Sequence, residues 1–169
     1  TGNYNVAVGQ NALGANTTAA NNTAVGTAAM EANLAADNTA VGYLAMNANT
    51  TGTQNTALGS SALAANTTNT ANTAVGYYAL KVSTAGNNTA MGANAGLVTV
   101  AGNYNTFMGA NTAIANTSGY SNSAFGAGSL AANIDADNNT ALGYLALAAN
   151  TTANNNTAVG KSAMAANTT

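Results

Sequence analysis

Hydrophobic and polar positions along the chain recur every 16 or 17 residues, a period that matches neither an α-helix nor a heptad. Each period contains a glycine that closes the motif Asn-Thr-Ala-Val-Gly or a close variant, and all other positions are numbered from this glycine as position 0. Fixed self-similarity of this kind indicates a tandem-repeat architecture. The sequence therefore predicts a single unbroken array of ten repeats over residues 1–169, with no second domain.

Polar and apolar residues alternate before the glycine, as they do in a short β-strand. Position −4 is always Asn, −3 is Thr or Ser except at Val6, −2 is Ala except at Phe107, and −1 is a larger apolar residue. After the glycine, Ala-Leu or Ala-Met is usual at +3 and +4, and Asn stands at +7 in eight repeats. The glycine and the flanking Asn and Thr residues disfavour a helix.

A repeat of this length is too short for a helix pair or for a leucine-rich repeat, which run from about 33 and about 20 residues. Two strands of about four or five residues, joined by corners rich in Gly and Asn, would use up one repeat. We therefore predict an all-β fold, a parallel β-solenoid of ten coils. With rungs roughly 4.7–4.9 Å apart, ten coils should span about 45–50 Å.

Two invariant columns should hold the coils together. The glycine is expected at a corner with positive φ, where a Cβ would clash. The asparagine at −4 is expected to stack on its copies, with amide N–H bonded to amide C=O along the axis. The corner glycines are Gly9, Gly26, Gly42, Gly59, Gly76, Gly92, Gly109, Gly126, Gly143 and Gly160. The predicted ladder consists of Asn5, Asn22, Asn38, Asn55, Asn72, Asn88, Asn105, Asn122, Asn139 and Asn156.

Strand alternation separates the residues at −3 and −1 from the Asn, Ala and Gly at −4, −2 and 0. A face with only Ala and Gly beside the Asn column is one that another group approaches closely. Because a lone thin coil buries few large side chains, we expect that group to be another copy of the chain. The expected oligomer contacts are Ala24, Ala40, Ala57, Ala74, Ala141 and Ala158.

Composition excludes several classes of function. Charged residues make up 4% of the chain, against about 25% in an average domain. The formal net charge is −2, and Lys81 and Lys161 are the only cations, so nucleic acid is not an expected partner. No apolar run is long enough for a transmembrane helix, so the chain is not expected to be membrane-embedded. Without Cys there is no disulfide or thiolate metal site.

The chain also lacks His, and its acids are Glu31, Asp37, Asp135 and Asp137. Catalysis requires a base, a nucleophile or a metal in convergent geometry. We therefore expect no enzyme activity, no cofactor and no metal. Asp135 and Asp137 could offer oxygens to Ca²⁺, but a structural calcium should recur in other repeats, so a solvated corner is the favoured interpretation.

The motif Asn-Thr-Ala-Val-Gly followed by x-x-Ala resembles the head repeats of YadA-like trimeric autotransporter adhesins, whose signature is roughly N-S-V-A-I-G-x-x-S. Similar repeats occur in phage tail fibres and in bacterial surface proteins. The resemblance covers all ten repeats and implies a left-handed parallel β-roll, a homotrimer and adhesion to host-surface or matrix ligands. It implies an extracellular, cell-surface or virion location. The family unit is shorter, so these coils must be wider, and Thr replaces Val at −3 in eight copies.

Ice binding is the alternative function. Stacked Thr residues on a flat solenoid face are a known way to present an ice-matching surface, which is an analogy at the level of fold. The suggestive pairs are Thr17-Thr18, Thr50-Thr51, Thr67-Thr68 and Thr151-Thr152, although Leu34, Val100 and Ile134 interrupt the column. Adjacent strand residues also point to opposite faces.

Three further features have both a functional and a structural interpretation. Tyr43, Tyr77 and Tyr144 follow the repeat glycine and could contact sugars or surfaces, or pack over neighbouring coils. Leu97 and Ile114 lie one place later than the usual Leu, which is consistent with a local bulge. Ten Asn-x-Thr/Ser matches could be glycosylated or could arise by chance in an Asn/Thr repeat. They begin at Asn16, Asn49, Asn66, Asn116, Asn150 and Asn167, and at Asn21, Asn87, Asn138 and Asn155.

Thr1 and Thr169 occupy the same slot of the repeat, nine residues after the glycine position. Solenoids usually end in atypical capping repeats, and neither end of this sequence shows one. The expectation is that the sequence is an excerpt from a longer fibre, continuing into further repeats or stacking on the next subunit as a filament.

Overall fold

The computed structural model describes residues 2–168, which form ten short strands and no helix. The strands are β1 (Val6–Val8), β2 (Thr23–Val25), β3 (Thr39–Val41), β4 (Thr56–Leu58), β5 (Thr73–Val75), β6 (Thr89–Met91), β7 (Thr106–Met108), β8 (Ser123–Phe125), β9 (Thr140–Leu142) and β10 (Thr157–Val159). They pair in chain order as one parallel ten-stranded sheet. This confirms the predicted all-β class and the parallel β-solenoid, with about nine turns between β1 and β10.

Equivalent positions of neighbouring repeats lie directly against each other. In the β2–β3 pair, Thr23 is opposite Thr39 and Ala24 is opposite Ala40. This register survives the two 16-residue repeats because the missing residue falls in the corner after position +7. The Asn22 amide bonds to a carbonyl at +9 in a short repeat, whereas the Asn38 amide reaches the equivalent carbonyl at +10 in a long one.

The prediction of two strands per coil is wrong for residues 2–168, in which each coil has one strand of three residues. The other wall is a series of turns whose backbone still bonds to the neighbouring coils. The Ala28 N–H donates to the Gln10 carbonyl at 2.8 Å, and the Met30 N–H donates to the Ala45 carbonyl at 2.9 Å. The stack therefore gains its hydrogen bonds on both walls although only one wall is a β-sheet.

Left-handed backbone conformations explain why the second wall is not a strand. Positions +2 and +4 have positive φ in every repeat, for example 55° at Ser61 and 50° at Leu63. Large non-glycine residues rarely adopt this region, which costs about 1–2 kcal/mol per residue. Since Leu, Met and Ala carry no sequence signal for it, this wall could not be predicted from residue preferences.

The interior is narrow and is filled by small residues from one wall and larger ones from the other. From β2 to β10 the side chain at −2, which is Ala except at Phe107, packs across the coil against the residues at +3 and +4, usually Ala and then Leu or Met, and these side chains form one core cluster along the axis. Met30, Leu63, Leu80 and Leu147 are completely buried. A large residue on one wall therefore requires a small one opposite.

The one Phe at −2 shows this volume balance directly. Phe107 is fully buried at a position that is Ala in the other repeats. In the preceding repeat, Gly96 replaces the usual Leu or Met at +4, and a Cβ on Gly96 would lie 2.8 Å from the Phe107 ring. The Phe ring therefore fills the space that the larger +4 side chain occupies elsewhere, and the register continues unbroken through this pair.

Candidate functional site

The outward side chains at −3 and −1 of the ten strands form a two-column surface, here called the strand face. One column is Thr or Ser apart from Val6, and the other is entirely apolar. Val41, Leu58 and Met91 in the apolar column are 38%, 37% and 40% exposed. None of the ten strands contains a charged residue, so this is an uncharged surface of regular spacing.

The six alanines expected at an oligomer contact lie inside the coil instead. Ala24, Ala40, Ala57, Ala74 and Ala141 have no exposed surface, and Ala158 has 3%. This reverses the assignment of faces that was expected from the sequence. The close approach expected at the Ala/Gly side does occur, but the approaching group is the opposite wall of the same chain. Any contact between chains must use other residues, of which the strand face is the most apolar set.

The asparagines at −4 bind backbone rather than each other. The Asn22 side-chain carbonyl accepts the backbone N–H of Asn38 at 3.0 Å, and its amide donates to the Ala35 carbonyl at 2.9 Å. The same oxygen-to-backbone bond links each successive pair from Asn5 to Asn156. The column is continuous, but the expected amide-to-amide stacking does not occur between its side chains.

Amide-to-amide stacking occurs instead at position +7, in what we call the amide column. Asn66 donates from its side-chain nitrogen to the Asn49 side-chain oxygen at 3.0 Å, and Asn167 donates likewise to Asn150 at 3.1 Å. The remaining bonds of this kind join Asn49 to Asn33, Asn133 to Asn116 and Asn150 to Asn133. The sequence showed this column as an Asn in eight repeats, but gave no sign that it would be the stacked one.

The amide column is interrupted at the fifth and sixth repeats, where Ser83 and Thr99 occupy position +7. Both are fully buried. The Ser83 hydroxyl bonds to the Ala85 carbonyl at 3.4 Å, so it does not reach back to the preceding repeat. The Asn66 side-chain oxygen is consequently buried without a hydrogen-bond partner.

We expect Ser83→Asn to stabilise the chain by about 0.5–1.5 kcal/mol, the usual net value of one hydrogen bond. The introduced amide should donate to the unpartnered Asn66 oxygen. The repeat can hold it, because Asn33 occupies the same position, fully buried, in the other 16-residue repeat. Urea unfolding is the measurement, with Ser83→Ala as the control that adds no donor. Equal stability of the two variants would contradict the expected bond.

The repeat glycines have the positive φ expected of them, from 123° at Gly160 to 139° at Gly109. From the first to the ninth, each stacks so closely on the next that an added Cβ would lie 2.4–2.6 Å from that residue's backbone. The glycine column is therefore a line of close backbone contact as well as a corner.

The three tyrosines after the glycine are on the surface: Tyr43, Tyr77 and Tyr144 are 56%, 50% and 53% exposed. The Tyr77 ring stacks on Tyr78 with centroids 3.8 Å apart, and the Lys81 ammonium lies 3.8 Å from the Tyr78 centroid. Hydrogen bonding between the two phenols raises the pKa of Tyr77 and lowers that of Tyr78, and the Lys81 charge lowers the pKa of Tyr78 further. This cluster is the main aromatic feature of the described surface.

The four acidic residues lie between the strands, in turns and corners. Within residues 2–168 no group of three His, Cys, Asp or Glu side chains is placed to hold a metal ion. The Asp137 carboxylate accepts the Tyr120 backbone N–H at 3.0 Å, and Asp37 accepts the Asn21 amide at 2.9 Å. These two acids bridge neighbouring repeats.

The threonine pairs singled out in the sequence have only part of their hydroxyls free. In two of the four pairs the first member donates to the next repeat: the Thr50 hydroxyl bonds to the Thr67 carbonyl at 3.0 Å, and the Thr151 hydroxyl bonds to the Thr168 carbonyl at 3.1 Å. The regular column of outward hydroxyls is the one at −3 on the strand face.

Neither a protein-family model, a curated protein nor a solved structure matches this chain. The part of the chain that the structure describes has no helix with the length and apolarity needed to cross a bilayer.

Proposed function

We propose that the chain is a stiff structural or adhesive segment of an extracellular fibre or filament, with no catalytic role. The observation that supports this proposal is continuity: all ten strands share one register, and like residues stack from β1 to β10. Bending such a stack would stretch three sets of hydrogen bonds at the same time: those of the β-sheet, those of the wall that consists of turns, and those of the asparagine column at −4. The ladders are uncharged, so they add stiffness without self-repulsion.

The test of stiffness is a tandem fusion of several copies of the array, joined in phase with the repeat and imaged by electron microscopy. A rod segment should give straight particles that lengthen by about 45–50 Å per copy, one rung of roughly 4.7–4.9 Å for each repeat. Beaded or freely bending particles, at unchanged circular dichroism, would contradict the proposal.

We also propose that chains associate through the strand face, as the homotrimer implied by the resemblance to adhesin head repeats. The apolar column at −1 is partly exposed along the whole array, and no residue of the ten strands is charged. Another copy of the chain has the same rung spacing, so its apolar column can match this one at every repeat. A partner with a different period would match only at intervals.

We expect Leu58→Lys combined with Met91→Lys to give a monomer in sedimentation, with the β-sheet signal unchanged. The wild-type chain should sediment as a trimer. In the variant, the two lysines would introduce like charges into the apolar column and so prevent association. The matched control is Leu34→Lys with Val82→Lys, which changes side chains 52% and 40% exposed at +8 and +6. A monomeric wild-type chain, or an equal effect of the control pair, would contradict association through this face.

Ice binding is the second candidate, and the observation that favours it is the regular hydroxyl column at −3. Thr73 and Thr89 in this column are half-buried on the strand face. Thermal hysteresis and faceted ice crystals, lost on Thr73→Val, would favour ice binding, since Val6 shows that the strand tolerates valine there. No hysteresis in the wild-type chain would favour the fibre.

A further inference from the structure

The ten Asn-x-Thr/Ser matches divide into two structural classes that the sequence does not distinguish. Six begin at position +7, in the amide column or its equivalent. These are Asn16, Asn49, Asn66, Asn116, Asn150 and Asn167. Four begin one residue before the −4 asparagine, at the corner that leads into the strand. These are Asn21, Asn87, Asn138 and Asn155.

The buried asparagines at +7 cannot carry a sugar in the folded chain. Asn66 is completely buried, and its side-chain nitrogen donates to the Asn49 side-chain oxygen at 3.0 Å and to the Asn69 carbonyl at 3.1 Å. Both amide hydrogens are therefore used. The side-chain nitrogens of the other five are also hydrogen-bonded within the coil or to a neighbouring coil. Asn49, Asn66, Asn116 and Asn150 are fully buried, so a glycan on any of these four would break the amide column and occupy space inside the solenoid. Asn16 and Asn167 are partly buried, and a glycan there would crowd the carbonyl to which the side-chain nitrogen donates.

The four corner asparagines have the opposite surroundings. All four are exposed, with φ between 57° and 61°, at the residue before the inward-facing asparagine. The side-chain amides of Asn87, Asn138 and Asn155 bond to no other residue within 2–168, and Asn21 bonds only to the surface carboxylate of Asp37. In each case the Thr two residues later lies at −3, on the outward side of the strand.

We propose that Asn21, Asn87, Asn138 and Asn155 are the N-glycosylation sites of this chain, modified by an oligosaccharyltransferase that uses a pyrophosphate-linked sugar. The asparagine side-chain nitrogen attacks the anomeric carbon, so a C–N bond forms. The bond from that carbon to the pyrophosphate oxygen breaks, and the pyrophosphate leaves with the electron pair. The amide proton passes to a base of the transferase.

The rung spacing limits how many sites can be occupied at once. Asn138 and Asn155 lie on adjacent coils, which places their backbones about 5 Å apart. A branched glycan is wider than one rung, so the two sites should exclude each other. Asn21 and Asn87 are four repeats apart and should be occupied independently. The folded chain should therefore carry at most three glycans.

The test is secretion of the full chain, with a signal peptide added, from a host that has lipid-linked oligosaccharides, followed by glycopeptide mapping of the folded product. Glycans should occur only at the four corner asparagines, with Asn138 and Asn155 never modified on the same chain. Thr89→Val should remove the Asn87 glycan alone, and valine is already present at this position in Val6. Thr68→Ala, which destroys the Asn66 match at an exposed corner, should leave the map unchanged.

Two results would overturn the proposal. One is a glycan on Asn49, Asn66, Asn116 or Asn150 in protein with the full β-sheet signal, because the structure has no room for it. The other is a secreted, folded chain with all four corner asparagines unmodified. Double occupancy of Asn138 and Asn155 would overturn the predicted exclusion.

Discussion

Gly76→Ala is expected to destabilise the solenoid by at least about 3 kcal/mol, combining backbone strain of about 1–3 kcal/mol with a steric clash. Gly76 has φ of 133°, and an added Cβ would lie 2.6 Å from the Gly92 carbonyl oxygen. That contact cannot relax easily, because the Gly92 N–H is itself bonded to the Val75 carbonyl at 2.8 Å. The whole stack would have to separate at this rung.

Urea unfolding of Gly76→Ala should be compared with two other glycine variants. Gly14→Ala should change stability by no more than about 0.5 kcal/mol, the usual range for a benign surface site, since alanine occupies the same +5 position at Ala64. Gly160 has φ of 123°, but no described atom lies within 4 Å of an added Cβ. Gly160→Ala should therefore show the cost of the backbone strain without the cost of a steric clash. Equal losses for Gly76→Ala and Gly160→Ala would contradict the role given to close stacking.

The periodicity predicted the fold because every repeat must present the same residues to its neighbours. The glycine could be placed at a corner because few other residues tolerate its backbone angle. The asparagine at −4 could be identified as a ladder because no repeat lacks it. Its bonding partners could not be identified, since a side-chain amide can satisfy a neighbouring amide or the backbone equally well.

The sequence does not show which side of each strand points into the coil. Alternation shows that Ala74 and Val75 lie on opposite sides of a strand, but not which side is inside. The usual preference would bury Val75, the larger apolar residue. In the structure the large buried side chain is instead Leu80 at +4, on the wall that consists of turns. Its volume leaves room only for alanine on the strand opposite. That choice depends on the left-handed conformation of Leu80 (φ 47°), for which leucine gives no signal.

The same ambiguity affected the candidate site. The oligomer contact was expected at the alanines because they were small and regular, and both properties are equally explained by a narrow interior. The strand face was not predicted as a contact surface, because the large apolar residues at −1 are the ones expected to be buried. A useful sequence signal was the Thr at −3, since a column of hydroxyls is more easily accommodated in water than inside a coil that already contains two columns of asparagine.

The second large effect is expected from Asn72→Ala, which should cost about 1.5–4.5 kcal/mol: about 1–3 kcal/mol for a buried donor left without a partner and about 0.5–1.5 kcal/mol for a second hydrogen bond lost. Asn72 is fully buried. Its side-chain oxygen accepts the Asn88 backbone N–H at 3.0 Å, and its amide donates to the Ala85 carbonyl at 3.0 Å. Alanine would leave the Asn88 N–H unsatisfied and the Ala85 carbonyl with only the 3.4 Å bond from the Ser83 hydroxyl, inside a stack that water can enter only by separating two coils.

Asn87→Ala is the control, because it removes the same side chain from an exposed corner. Alanine occupies the equivalent position at Ala71 with the same φ of 59°, so the unfolding free energy should change by no more than about 1 kcal/mol. Hydrogen exchange should locate the loss: in Asn72→Ala the amide of Asn88 should lose protection, while distant amides such as that of Thr140 keep theirs. This follows because contacts in a solenoid are made only between neighbouring repeats. Equal stability of the two variants would show that the −4 column is a consequence of the stack rather than one of its supports.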